Sequence, residues 1–241
     1  MKKNVFLVFC FLLAFCVLHA QEKSSKRFAE ISLGPSFPIG QFGEKSYNDN
    51  EKDQPGLAQV GIATNATFGF HIIENAGWLL TVGYNLNKQK PEGLEEYIAG
   101  HYYPAGADVD VTTKSWKILK VMAGGFLITP LTEDKLNLVT KLSAGICSAI
   151  IPEYSWHAKN TGYTSYERGG IGKVRLPVTF CYQISLGLQY KMNDKTYLLF
   201  DINSFNATAT IKGGRTSGGQ LPDRKSKMGS VNALVGVGLN F

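Results

Sequence analysis

From about residue 28 to the end, apolar and polar residues alternate with a period of two, the spacing that sends successive side chains to opposite faces of an extended strand. Eight such stretches are predicted. The first runs from Phe28 to Ile39, with Ala29, Ile31, Leu33 and Phe37 on one face and Glu30, Ser32, Gly34 and Ser36 on the other. The second runs from Leu57 to Ile72, and after the turn residues Glu74, Asn75, Ala76 and Gly77 the third carries Trp78, Leu80, Val82, Tyr84 and Leu86. The fourth spans Ser115 to Ile128 and the fifth Leu136 to Ile150. The sixth is the longest, every even position from Val174 to Tyr190 being apolar or aromatic. The seventh starts with Leu198, Phe200 and Ile202, then changes phase near Ser204, where Phe205, Ala207, Ala209 and Ile211 take over; a bulge at Ser204 is expected. The eighth runs from Ser230 to Phe241, the last residue.

The connections alternate in length. Residues 40–56, 89–114, 152–172 and 212–227 are long and polar, whereas the other connections are short turns. Eight antiparallel strands with long loops at one end and short turns at the other predict an all-β, up-and-down transmembrane barrel, with short periplasmic turns and long extracellular loops. A soluble barrel would point its apolar face inward and a charged face outward. Here the polar faces are Gly, Ser, Thr, Asn and Gln, small enough to fill a narrow lumen, and Trp78, Tyr190, Tyr197 and Phe241 fall where the periplasmic membrane interface would lie.

The start of the chain reads differently. Lys2 and Lys3 precede an apolar run from Val5 to Leu18, followed by His19, Ala20 and Gln21, the layout of a secretory signal peptide over 1–20 cleaved after Ala20. Phe9 and Phe15 precede Cys10 and Cys16, where a lipoprotein box needs a small residue, so lipidation is not expected. Residues 21–241 form one barrel domain. The formal charge of +6 falls by two with the signal peptide, and such mild basicity gives no reason to expect nucleic acid as a partner.

The final strand resembles the C-terminal insertion signal of bacterial outer-membrane barrels. Gly236, Leu239 and Phe241 match it, and Leu234 departs from it by standing at a polar position. The segment Ile31 to Gly43, I-S-L-G-P-S-F-P-I-G-Q-F-G, is similar to first strands of the Bacteroidetes-style outer-membrane β-barrel domain, a family that includes PorT-like components of secretion systems. The resemblance implies an outer-membrane location, contact with outer-membrane lipid and lipopolysaccharide, and handling by the barrel-assembly machinery during insertion. It leaves two roles open: a barrel acting through its loops, or a barrel subunit of an envelope machine with a protein partner. A narrow pore is a third reading.

Candidate chemistry is sparse. Glu30, Lys120, Lys141, Arg175 and Asp201 are expected to face inward as a polar lumen network, because charges in so narrow a barrel need partners. Cys147 and Cys181 are expected to point inward on neighbouring strands, as small fillers or as a disulfide. His71, His101 and His157 show no metal-ligand spacing, and no nucleophile, base and acid come together, so neither cofactor nor enzymatic activity is expected. Among the loops, 89–113 is acidic, with Glu92, Glu95, Glu96, Asp108 and Asp110, and 212–227 is basic, with Lys212, Arg215, Arg224, Lys225 and Lys227. The tyrosines Tyr97, Tyr102, Tyr103, Tyr154, Tyr163 and Tyr166, with Trp156, offer a surface for a protein partner.

Overall fold

A computed structural model describes residues 27–45, 55–103, 107–132, 135–159, 168–211, 215–216, 219–220 and 223–241. The expected signal peptide over 1–20, Lys212, Tyr163 and Tyr166 lie outside the described residues. In chain order the elements are β1 (Arg27–Pro38), β2 (Ala58–Ile73), β3 (Ala76–Gln89), helix α1 (Glu92–Tyr102), β4 (Asp108–Thr113), β5 (Ser115–Pro130) and β6 (Leu136–Ile151). They continue with β7 (Tyr154–Lys159), β8 (Arg168–Ile171), β9 (Val174–Arg175), β10 (Thr179–Lys191), β11 (Thr196–Ile211), β12 (Arg215–Thr216), β13 (Gly219–Gln220) and β14 (Arg224–Asn240).

Eight of these strands close a barrel in the order β1, β2, β3, β5, β6, β10, β11, β14, and every neighbouring pair is antiparallel. Closure is made by β14 on β1, where Phe28 faces Asn240 and Ser36 faces Asn232. At the seam, the amides of Arg27 and Phe241 each donate to the other's carbonyl at 2.8 Å, so the last residue completes the ladder that the first strand begins. The turns at this end are tight. Asn193 ties the one between β10 and β11, its Oδ1 accepting from the amides of Lys195 and Thr196 at 2.9 and 2.8 Å.

The faces follow the alternation. Ile31, Leu33, Val60, Ile62, Leu142, Ile184, Leu186, Val235 and Val237 point out and are exposed. Their neighbours Ser32, Asn65, Thr81, Ser143, Gln183 and Ser185 point in and are buried. The barrel is inverted relative to a water-soluble one: hydroxyls, amides and charges are buried in its interior while its outer wall is apolar.

The one expected irregularity is not where the alternation puts it. β11 pairs with β14 without interruption from Thr196 opposite Leu239 to Ile211 opposite Arg224, so there is no bulge at Ser204. Phe205, Ala207 and Ala209 remain on the inward face and are buried. Extra residues lie instead on β2, where its register on β3 shifts between Ala58 and Gly61 and between His71 and Ile73, and in the predicted sixth strand. Cys147 to Ile150 on β6 faces Thr179 to Arg175 on the other side, three steps against four, so side chains change sides between β10 and β9. Pro177, which has no amide hydrogen to give a ladder, sits in that gap, and Leu176 turns inward with its amide on the Ala149 carbonyl at 2.9 Å.

The second loop also differs from the reading of the chain as all strand and loop, because it holds α1. Loops two and three join above the barrel: β4, β7 and β8 form a small antiparallel sheet. Its inner face and α1 bury Leu94, Ile98, Val109, Val111 and Ala158, with Leu57 beneath them.

Candidate functional site

Three levels of side chains fill the barrel. At the turn end, Phe28, His71 and Phe126 meet edge to face, with centroids 5.0 to 5.8 Å apart, and Leu79 joins them. T-shaped packing of this kind is a preferred aromatic geometry.

Above this floor lies the charged layer. Glu30 on β1 and Lys141 on β6 reach across the lumen to form a hydrogen-bonded ion pair, and both are less than a tenth exposed. The Tyr197 hydroxyl donates to the other oxygen of Glu30 at 2.9 Å. Tyr197 therefore belongs to the lumen, being 1% exposed, and not to the outer aromatic girdle. Its ring lies flat over Gly238, where any side chain would collide with it. Asp201 accepts from the Ser185 hydroxyl, and the Thr67 and Thr81 hydroxyls share a hydrogen bond of 3.0 Å.

Lys120 is fully buried. Its ammonium donates to Gln183 Oε1 at 2.9 Å and stands 4.7 Å from the centroid of the Phe205 ring, an amide and a π face in place of a carboxylate. Its stem crosses Gly83, whose missing side chain leaves the lane it occupies.

Arg175 is not part of this network. It lies in β9, beyond the extra residue at Pro177, and is exposed. Among the described residues the charged lumen side chains are held in three hydrogen-bonded groups, Lys141 with Glu30 and Tyr197, Lys120 with Gln183, and Asp201 with Ser185, two formal cations against two formal anions.

Towards the loops an amide cluster meets an apolar one. Asn85 on β3 donates to Ser36 on β1 and to Ser230 and Asn232 on β14 at 3.2 to 3.3 Å, and Asn232 donates to Asn203 on β11 at 2.7 Å. Trp116, Ile118, Met122, Leu176, Phe205 and Met228 form an apolar cluster that adjoins it, Phe205 pairing with Ser230 in the β11–β14 ladder. Phe42, from a 3-10 turn at Gly40–Gly43 in the first loop, packs on Trp116 with centroids 5.3 Å apart, and the Trp116 indole donates to the Gly56 carbonyl at 2.8 Å. The described ends of the first loop, at Phe42 and Gly56, thereby pack into the mouth.

Cys147 and Cys181 belong to this apolar cluster. They are diagonal neighbours on β6 and β10, both are buried, and both thiols are free. His71 lies in the floor, His101 stacks on Tyr97 at 4.3 Å in α1, and His157 is on β7, so the three histidines belong to separate places.

The lid above is clasped at its base. Lys114 pairs with Glu153, and the Lys114 amide donates to the Glu153 carbonyl at 3.0 Å. The hydrogen bond and charge of that ammonium hold the Glu153 carboxyl below the usual carboxylate range. Glu92 and Glu95 occupy the first turn of α1, where the helix dipole favours acids, and Glu95 also accepts the Val111 amide at 3.1 Å. Asp108 and Asp110 are exposed on the outer face of the lid sheet.

The residues of the insertion signal lie at the turn end of β14. Leu239 and Phe241 are exposed on the outer wall, the Phe241 ring 6.1 Å from that of Phe68. Trp78 and Tyr190 are also exposed there.

The sequence matches no protein-family model and no curated protein. Among solved structures, the fold is similar to Neisserial surface protein A, at 10% identity and a TM-score of 0.47 over 91% of this chain and all of that one. It is also similar to the outer membrane protein OprG from Pseudomonas aeruginosa, at 12% identity and a TM-score of 0.47 over 91% of this chain and 97% of that one. A third is a major outer membrane protein from Thermus thermophilus, at 7% identity and a TM-score of 0.47 over 91% of this chain and all of that one. No residue's role is carried across from structures this distant.

Proposed function

We propose that this chain is an integral protein of a bacterial outer membrane, a barrel with a filled lumen that acts through the folded lid it presents outside the cell. The observation that carries the reading is the outer wall. Apolar side chains stand exposed around the barrel while hydroxyls, amides and charges are buried within it, which is stable in hydrocarbon and aggregation-prone in water. On β10 the outward run from Phe180 to Tyr190 is eleven residues long, the length of a tilted strand crossing a bilayer. The aromatic floor, the ion-paired middle and the apolar packing of Phe42 on Trp116 at the mouth support a barrel that does not conduct. The test is to fold the mature protein into planar bilayers. A species that shifts in gel mobility on boiling and gives no resolved conductance steps fits the proposal, and stepwise currents would replace it with a narrow pore.

A second reading is a barrel subunit of an envelope secretion or assembly machine of the PorT-like kind. It is favoured by the lid, which exposes Glu92, Glu96, Asp108 and Asp110 together with Tyr102, itself 64% exposed. Affinity purification in mild detergent separates the readings: stoichiometric envelope proteins favour the machine, and the barrel alone favours an independent role.

A further inference from the structure

Of the five sulfur-bearing side chains past residue 20, Cys147, Cys181, Met122 and Met228 are buried in one apolar cluster of the lumen, and Met192 is exposed. Buried cysteine and methionine often serve as plain apolar filling. The placement of the two thiols and of Lys120 goes further than filling requires. Cys181 on β10 faces Gly145 on β6, and Cys147 lies two residues further along β6 towards the loops, so both side chains point into the lumen on a diagonal. Diagonal neighbours stand about 7–8 Å apart at Cα and closer at Cβ. Two metal–thiolate bonds of about 2.3 Å laid end to end span about 4.6 Å, which two side chains reaching towards each other from that spacing can bracket.

Lys120 stands directly opposite Cys147 in the β5–β6 ladder. Its ammonium is fully buried and holds an amide oxygen and an aromatic ring, with no carboxylate in contact. A buried cation without a counter-anion is costly. Two thiolates around a monovalent cation carry one net negative charge, the charge this ammonium lacks beside it. The donor set also selects the metal. Among the described residues no three histidines, cysteines, aspartates or glutamates come together as a metal-holding group, so the four-ligand shell of a structural zinc site is not offered. Two thiolates in an apolar, thioether-containing shell suit a soft ion that accepts few ligands.

We propose that Cys147 and Cys181 form a two-coordinate site for a soft monovalent metal ion of the Cu(I) class inside the barrel, with Lys120 balancing its charge. On binding, each thiol releases its proton to solvent, two sulfur–metal bonds form, and the metal keeps its oxidation state. Because both cysteines are closed off from solvent, the ion enters while the barrel folds. The site lies in the lumen and does not depend on what the lid binds.

Mature protein is folded into detergent without oxygen in the presence of Cu(I), of Ag(I) as a redox-inert probe, or of Zn(II). It is then desalted, and metal per protein is counted by elemental mass spectrometry. One Cu(I) or Ag(I) per barrel is expected, with Zn(II) not retained, and X-ray absorption of the Cu(I) form should show two sulfur neighbours. Cys147→Ala and Cys181→Ala, which keep the cluster apolar, should each abolish retention. Lys120→Met should weaken it at least about tenfold against a competing thiol. Ile118→Val, which loosens the same cluster without touching sulfur, should leave it unchanged. The boiling-dependent gel shift is recorded for each variant so that folded barrel alone is counted. A folded wild-type barrel that retains no Ag(I), or cysteine variants that retain it undiminished, overturns the site, and Zn(II) held as firmly as Ag(I) overturns the two-coordinate assignment. A wild type without the gel shift overturns the barrel reading instead.

Discussion

Lys141 on β6 and Glu30 on β1 close an ion pair across the middle of the barrel, joining strands that are not neighbours in the wall. The pair makes the lumen a cross-brace. Removing one partner leaves a charge buried without its counterion, which costs about 3–5 kcal/mol, whereas replacing both with apolar residues of similar size costs far less. Glu30→Leu and Lys141→Met should each lower stability by about that amount, and the double variant should recover most of the loss. Urea unfolding of the three variants in lipid vesicles measures the coupling. Independent, additive losses would mean that the brace does not hold the strands.

Phe205 carries a second prediction, because its burial depends on β11 keeping phase. Phe205→Ala should cost about 3–5 kcal/mol, as for other large-to-small changes at fully buried aromatic sites. Phe200→Ala, two turns of the pleat away on the outer wall, should cost clearly less in the same unfolding assay. Equal costs would restore the bulge at Ser204.

The two lumen cysteines give a chemical count. Mature protein, denatured without reductant, should titrate two free thiols, one each from Cys147 and Cys181. A count of zero that rises to two after reduction would show a bridge.

The lid should come loose without the barrel. Leu94→Asp places a charge in the packing between α1 and the lid sheet, and it should expose the loops to protease while leaving the boiling-dependent gel shift intact. Acid should loosen the clasp at its base as well. The folded Glu153 carboxyl is held below its ordinary value, so its contribution is complete above the ordinary carboxylate range and is lost as pH falls through the lowered value. Because the pair is solvent-exposed, the effect belongs to loop protection and not to barrel stability.

The alternation along the chain was a faithful guide to the wall wherever the strand ran through hydrocarbon, because there outside means apolar. It misled where the strands rise beyond that layer. On β11 the outward residues become Ser204, Asn206, Thr208 and Thr210 as the exterior turns wet, and the inward ones become Phe205, Ala207 and Ala209 as the lumen turns dry. The polarity pattern inverts with no side chain changing sides, and from the sequence this is indistinguishable from a bulge. At Pro177 the opposite holds: a real change of sides is hidden in an unbroken run of apolar even positions, and alternation alone points Arg175 into the lumen. Proline's missing donor was the available signal.

Other parts of the site needed contacts between distant strands. Tyr197 reads as one more rim aromatic until Gly238 across the ladder gives its ring a bare surface and Glu30 gives its hydroxyl an acceptor. Asn85 and Asn232 look like lumen filler until they meet. The helix in loop two had a legible N-terminus, Pro91 followed by Glu92 and Glu95, but its apolar face is short and is completed only by the lid sheet from loops two and three.

The central claim is that the outer wall faces lipid and the lumen does not, and tryptophan fluorescence reads both sides. Trp78 stands on the outer wall and Trp116 inside the barrel. Two variants are reconstituted in bilayers whose acyl chains carry bromine, one keeping only Trp78 and the other only Trp116, the remaining tryptophans being replaced by phenylalanine. Strong quenching of Trp78 with little quenching of Trp116 is the predicted result. Trp78 emission unchanged by bromine and quenched by acrylamide from the water would contradict the account.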